Sequence, residues 1–339
     1  MKNKIIATLV ALGLVGSASA LDINENLEIN GFIDTSYTHS DSADQGEAQN
    51  LGLDEIELNF LFNVGGVSGA IHIDDYDEKD DVYADDGDID VEQAHLTYEL
   101  ESGVSFTIGK FGSLLGFERE DPGGLYTYSR AYVDAAYGTK TASARKFNLG
   151  DVDSNVAEGV RFAYNSEVFG ITASLVNDVD VNIDKDNLDL ELALSYTGIE
   201  NLVLGGGYYF DNQDNDDEID VLNFHISTQF GNFLLAAEYI ELDSTNKDKS
   251  VSDDGYMLLA DYKVSEKLNI AFRLSSNETQ IGADEAGVAK QSTYDDADKI
   301  TIAPRYQITE SLGAVLEYSD IDTGDTDEDL LALELTFTF

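Results

Sequence analysis

The chain has 339 residues, and 67 acidic against 19 basic side chains give a formal net charge of −48. A field this negative argues against nucleic acid as a partner, because like charges meet at the phosphates. The absence of Cys excludes a disulfide framework, Cys-ligated metal centres and thiol nucleophiles.

The first twenty residues, MKNKIIATLVALGLVGSASA, place Lys2 and Lys4 before an apolar run, Ile5–Val15, and end on the small-x-small triplet Ala18-Ser19-Ala20. The run is short of the ~20 residues a spanning helix needs. It therefore reads as an export leader, 1–20, cleaved after Ala20, leaving 21–339 as one domain. No later stretch is long and apolar enough for a membrane helix.

Beyond the leader the chain breaks into segments of period-2 alternation. Strands are predicted near 27–38, 52–64, 67–76, 89–100, 103–112, 158–165, 168–177, 187–196, 201–211, 219–230, 232–243, 255–264, 267–277, 298–307, 311–320 and 330–339. Each is close to the ~9–11 residues of a tilted membrane strand. In DEIELNFLFNV, Ile56, Leu58, Phe60 and Phe62 oppose Glu55, Glu57 and Asn59. In NLDLELALSYTG, Leu188, Leu190, Leu192, Leu194 and Tyr196 oppose Asp189, Glu191 and Ser195. The chain ends on LLALELTFTF, with Leu331, Leu333, Leu335, Phe337 and Phe339 on one face.

A soluble sandwich would alternate too, but its connections need not alternate in length. Here the even-to-odd connections are short, such as the Gly65-Gly66 pair, and the odd-to-even ones are long and acidic, such as DEKDDVYADDGD. Short turns at one rim and long loops at the other describe a transmembrane antiparallel β-barrel. Phe62, Tyr98, Tyr164, Tyr196, Phe230, Tyr262, Tyr306 and Phe337 each lie near the short-turn end of an even strand, on its apolar face. That arrangement predicts an aromatic girdle at one bilayer interface. Pro304, inside a predicted strand, removes a ladder hydrogen bond and predicts a bulge.

With this architecture the whole mature chain resembles a Gram-negative outer-membrane porin of the sixteen-stranded general type. GKFGSLLGFERE (109–120) and YTYSRAY (126–132) are similar to the OmpL-like β-barrel porin family. The resemblance implies passive diffusion through a water-filled pore, a homotrimer, no enzymatic activity and no cofactor. It also implies that Phe339 is the signal read by the outer-membrane assembly machinery. In general porins the third long loop folds into the lumen, and here that loop is 113–157, the longest connection in the chain.

The stretch 110–161, which holds this loop, differs in charge. Lys110, Arg119, Arg130, Lys140, Arg145, Lys146 and Arg161 make seven of the chain's 19 basic residues. Candidates for a charged constriction are therefore Glu118, Arg119, Glu120, Asp121, Arg130, Arg145 and Lys146 on the loop. Alternation adds Arg161, Arg273, Arg305, Asp34, Glu55, Glu57 and Glu317 on the wall. The competing reading is that the loop's arginines only pair with nearby acids to hold it down. Excess acid on the wall predicts a weak cation preference.

Other constellations are bland. His72, His95 and His225 point into the lumen by alternation and, like His39, belong to no Ser or carboxylate constellation that would make a catalyst. No zinc-binding spacing is present. The acidic loops suit weak Ca²⁺ or Mg²⁺ binding that bridges lipopolysaccharide phosphates, but no EF-hand glycine stands in the right place, even in the 178–186 run of acids. Two alternatives stay open: a plugged structural or adhesive barrel with cation-binding loops, and a substrate-specific channel.

Overall fold

The computed structural model describes residues 20–43, 46–76, 90–118, 121–132, 156–177, 188–210, 218–246, 249–283, 293–324 and 326–339. The export leader before residue 20 lies outside them, as do the acids of 178–186 and the loop candidates Arg119, Glu120, Arg145 and Lys146.

A short strand β1 (Leu21–Asn24) precedes sixteen long ones. The first eight are β2 (Leu27–Ser42), β3 (Gly46–Val64), β4 (Val67–Tyr76), β5 (Asp90–Glu99), β6 (Val104–Gly112), β7 (Val156–Asn165), β8 (Phe169–Val176) and β9 (Asp189–Ile199). The rest are β10 (Leu202–Phe210), β11 (Glu218–Phe230), β12 (Phe233–Asn246), β13 (Lys249–Lys263), β14 (Leu268–Ala283), β15 (Thr293–Gln307), β16 (Leu312–Asp322) and β17 (Asp327–Thr338). Each of β2 to β17 pairs antiparallel with its neighbours in the chain, and β17 pairs with β2, so the sheet closes into a barrel. Closure leaves none of β2 to β17 as an edge strand that could seek another partner.

The closing seam reaches the last residue. Phe339 and Gly31 exchange two backbone hydrogen bonds of 3.1 Å. A Cβ at Gly31 would stand 2.2 Å from the Glu57 carbonyl oxygen, so the seam needs glycine there. Below the seam β1 folds back on the start of β2, pairing Leu21 with Ile29.

The alternation of burial matches the predicted faces. On β9, Asp189, Glu191 and Ser195 are buried inside while Leu192, Leu194 and Tyr196 are exposed outside. Tyr98, Tyr164, Tyr196, Phe230, Tyr262, Tyr306 and Phe337 are exposed at the short-turn ends of their strands. Phe62 is half-buried, its ring lying over Gly69.

Three features differ from the predicted strands. Pro304 makes no bulge: its partner is Ile270, and β15 keeps one register with β16 from Ile302↔Tyr318 to Arg305↔Val315, the two residues between simply going unpaired on that side. Several hairpins run further towards the long-loop rim than alternation predicts, β12–β13 as far as Asn246↔Lys249. There the flanking residues are polar on both faces, so backbone pairing continues after the apolar pattern stops. Finally, two bulges interrupt the acidic part of the wall. Asp54 is the extra residue in β3 opposite the Asp34/Thr35 step, and Glu92 the extra residue in β5 opposite the His72/Ile73 step. A bulge turns two consecutive side chains to one face, here Asp54 with Glu55 and Glu92 with Gln93.

Candidate functional site in the barrel lumen

The loop leaves β6 at Gly112 and enters the lumen, where its described parts are 113–118 and 121–132. Asp121-Pro122-Gly123-Gly124 forms a single 3-10 turn closed by the Gly124 N–H donating to the Asp121 carbonyl at 2.7 Å. Leu115, Phe117, Tyr126, Ala131 and Tyr132 of the loop pack with Val221, Ile240, Leu242, Met257 and Leu259 of the wall in one buried apolar cluster. Phe117 and Tyr126 stack at 5.9 Å. Gly255 leaves room for the Tyr132 ring, which a Cβ there would approach to 2.7 Å.

Polar contacts fix the loop in register on this wall. Glu191 accepts from Leu114 N–H at 3.2 Å, Glu238 from Phe117 N–H at 2.6 Å and Tyr132 O–H at 3.2 Å, and Glu317 from Ser129 N–H at 3.0 Å. Arg273, fully buried, donates to Glu118 Oε2 at 2.7 Å and to the carbonyls of Ser129 and Arg130, also at 2.7 Å. Lys299 reaches Ser129 Oγ at 2.6 Å, and Ser275 Oγ donates to the Ala131 carbonyl.

The predicted wall arginines all point inward, but each has a partner. Arg161 donates to Ser174 Oγ and the Gly112 carbonyl, lies 3.6 Å from Glu191, and stacks over Phe111. Arg305 lies 2.8 Å from Asp261 and over the Tyr126 ring. Of the loop candidates, Glu118 is neutralised by Arg273, and Arg130 joins the network through its carbonyl.

A second group of acids lies on the opposite wall. Strands β2 to β5 contain no Lys or Arg. They carry Asp34, Glu55, Glu57 and Asp74, all buried. Thr336 donates to Asp34 at 3.1 Å, and Ser36 Oγ lies 3.1 Å from Tyr128 of the loop. Asp121 reaches across so that its carboxylate and those of Glu55 and Glu57 lie within 4.8 Å of one another. Burial, with Glu57 and Glu92 nearby, pushes the Asp121 carboxyl up to about 8.

Space flanks the loop's turn at the short-turn rim. One cavity of about 700 Å³ is lined by Asn26, Glu28, Leu61, Ala70 and His95. A second, of about 170 Å³, lies under Pro122, Gly123 and Leu125 against Arg305 and Glu334.

Sequence reasoning missed Glu191, Glu238, Lys299 and Ser275 as loop anchors, and His72 and Glu92 as neighbours of Glu57. A signal for the anchors exists: FLLAAEYIEL (233–242) and YMLLADY (256–262) are apolar on both faces, which a strand facing only lipid and water would not be. No such signal marks Glu92, because its inward turn depends on the bulge.

A family model described as Gram-negative porin matches residues 7–326. No curated protein sequence matches the chain. Among solved structures, the anion-selective porin from Comamonas acidovorans superposes with a TM-score of 0.67 at 12% identity, covering 92% of this chain and 99% of that one. OmpF of Salmonella typhi, solved with daunomycin, gives 0.64 at 14% over 93% and 98%. OmpT of Vibrio cholerae in its trimer form gives 0.61 at 14% over 92% and 99%.

Proposed function

The chain belongs to the Gram-negative porin family, and we propose that its 113–157 loop is fastened to one half of the wall so that the conducting path follows the other, acidic half. Like its family, it is an outer-membrane diffusion channel rather than an enzyme. Passive flux of ions and small hydrophilic solutes needs a wet, polar lumen and a fixed constriction, with no cofactor.

The observation that carries this reading is the segregation of charge. The described basic side chains facing the loop are held by carboxylates or loop carbonyls, whereas Asp34, Glu55, Glu57 and Asp74 gather where no Lys or Arg stands on the strands. Net negative potential along that wall favours cations. The fold does not dictate this sign, since a neighbour of the same fold is anion-selective by name. Glu118, Asp121 and Arg130 are then residues of the constriction's frame, joined by Arg119, Glu120, Arg145 and Lys146 of the same loop.

Further parts of the reading follow from the same family. The aromatic side chains from Phe62 to Phe337 sit at the inner interface of the outer-membrane bilayer. Phe339 serves the assembly machinery, the leader is removed after Ala20, and the acidic loops bridge lipopolysaccharide through Ca²⁺ or Mg²⁺. The trimer form of one neighbour supports a homotrimer. Single-channel recording in a planar bilayer tests the whole: steady current in steps of three is expected. A barrel that inserts and passes no current would be plugged.

A further inference from the structure

The bulge in β5 adds Glu92 to Glu57 of β3 beside one histidine. His72 Nδ1 lies 3.4 Å from Glu57 Oε1 and 3.7 Å from Glu92 Oε2, out of alignment for a hydrogen bond with either. Glu57 is 2% exposed, yet its Oε2 has no hydrogen-bond partner, and neither has the buried Glu92 Oε2. A ligand atom from each of these three residues lies within 4.8 Å of the others. Asp121 of the loop brings a further carboxylate within the same distance of Glu57.

Buried carboxylate oxygens without partners are costly, and so is their mutual repulsion. No Lys or Arg on β2 to β5 offsets them. A doubly charged ion would satisfy the free oxygens and the imidazole nitrogen together. Ligand atoms around a tetrahedral metal at about 2.1 Å sit about 3.4 Å apart, close to the two distances at His72. An imidazole among carboxylates suits a first-row transition ion better than Ca²⁺ or Mg²⁺, which prefer oxygen alone. An ion also has a way in: the His72 and Glu92 side chains keep 19% and 17% exposure.

We propose that Glu57, His72 and Glu92 bind a divalent transition-metal cation on the pore wall. This site is separate from the acidic outer loops and stands whether or not the pore conducts. Each ligand is held by a different element: Glu57 by β3, His72 by β4 and Glu92 by the bulge in β5. The bound ion would therefore pin three adjacent strands of the acidic wall together.

The test uses the full folded barrel in detergent, stripped with chelator and titrated with Zn²⁺ in excess Ca²⁺, so that loop carboxylates are already occupied. One Zn²⁺ per chain is expected, with affinity lowered roughly tenfold or more in His72→Asn and Glu57→Gln and unchanged in His39→Asn. Heat-modifiable mobility on gels verifies that each variant is folded. Zinc-edge X-ray absorption of the unmutated protein should show imidazole and oxygen ligands, which needs no variant. No Zn²⁺ binding above the Ca²⁺ background, a spectrum without imidazole, or binding indifferent to His72→Asn in a folded barrel would overturn the assignment. His72 would then serve as a protonated counter-ion between two glutamates.

Discussion

From β7 round to β16 the described lumenal cations are engaged: Arg161 with Glu191, Arg273 with Glu118, Arg305 with Asp261, and Lys299 with the loop at Ser129 and Arg130. From β2 to β5 there is no Lys or Arg at all, and carboxylates face carboxylates. One side spends its charges on neutral pairs, which hold a loop in place but project little field. The other side leaves like charges together, which costs stability and generates potential. On the proposed function, scaffold and selectivity occupy different walls of one barrel, and substitutions on each should fail in different ways.

The largest effect is expected at Arg273. Arg273→Met leaves Glu118 buried without its charge partner and removes four donor contacts, a loss of about 3–5 kcal/mol. Single-channel conductance should rise and become noisy as the loop detaches, while ion preference keeps its sign. A quiet channel of unaltered conductance would show that the loop does not depend on this pair.

Gly255→Val comes next. Its side chain meets Tyr132 and Ile240, and overpacking of this kind costs about 1–3 kcal/mol. Protease cleavage within the loop should be faster than in the parent barrel. Ser275→Ala removes one hydrogen bond to the Ala131 carbonyl and should lower the thermal midpoint of the folded barrel by the equivalent of about 1 kcal/mol. At the small end stands Glu266→Ala, which breaks an exposed pair with Lys263 at the short-turn rim. Less than about 1 kcal/mol is expected, with conductance and selectivity intact. A large change there would mean that turn residues shape the field more than either wall does.

How much of this was legible in the sequence follows from what alternation encodes. It records which face a side chain takes, so the barrel, the inward Glu55, Glu57 and Arg273 and the outward Tyr98 and Tyr164 could all be read. It fails wherever the period breaks without changing composition. The bulges at Asp54 and Glu92 leave no mark, because an acid on either face is unremarkable in so acidic a chain. Nor does alternation say what an inward residue meets. Arg273 reads as a pore-lining charge until the loop's path brings Glu118 onto it. The apolar inner faces of β12 and β13 do carry that information, since Ile240, Leu242, Met257 and Leu259 would be wasted on water.

The central claim, that the acidic wall rather than the fastened loop sets ion preference, is tested most directly by reversal potential in a salt gradient. The parent channel should favour cations, and Asp34→Asn, Glu55→Gln and Glu57→Gln together should move the potential towards zero at nearly unchanged conductance. An anion-preferring parent, or a triple variant with the same reversal potential, would contradict the account.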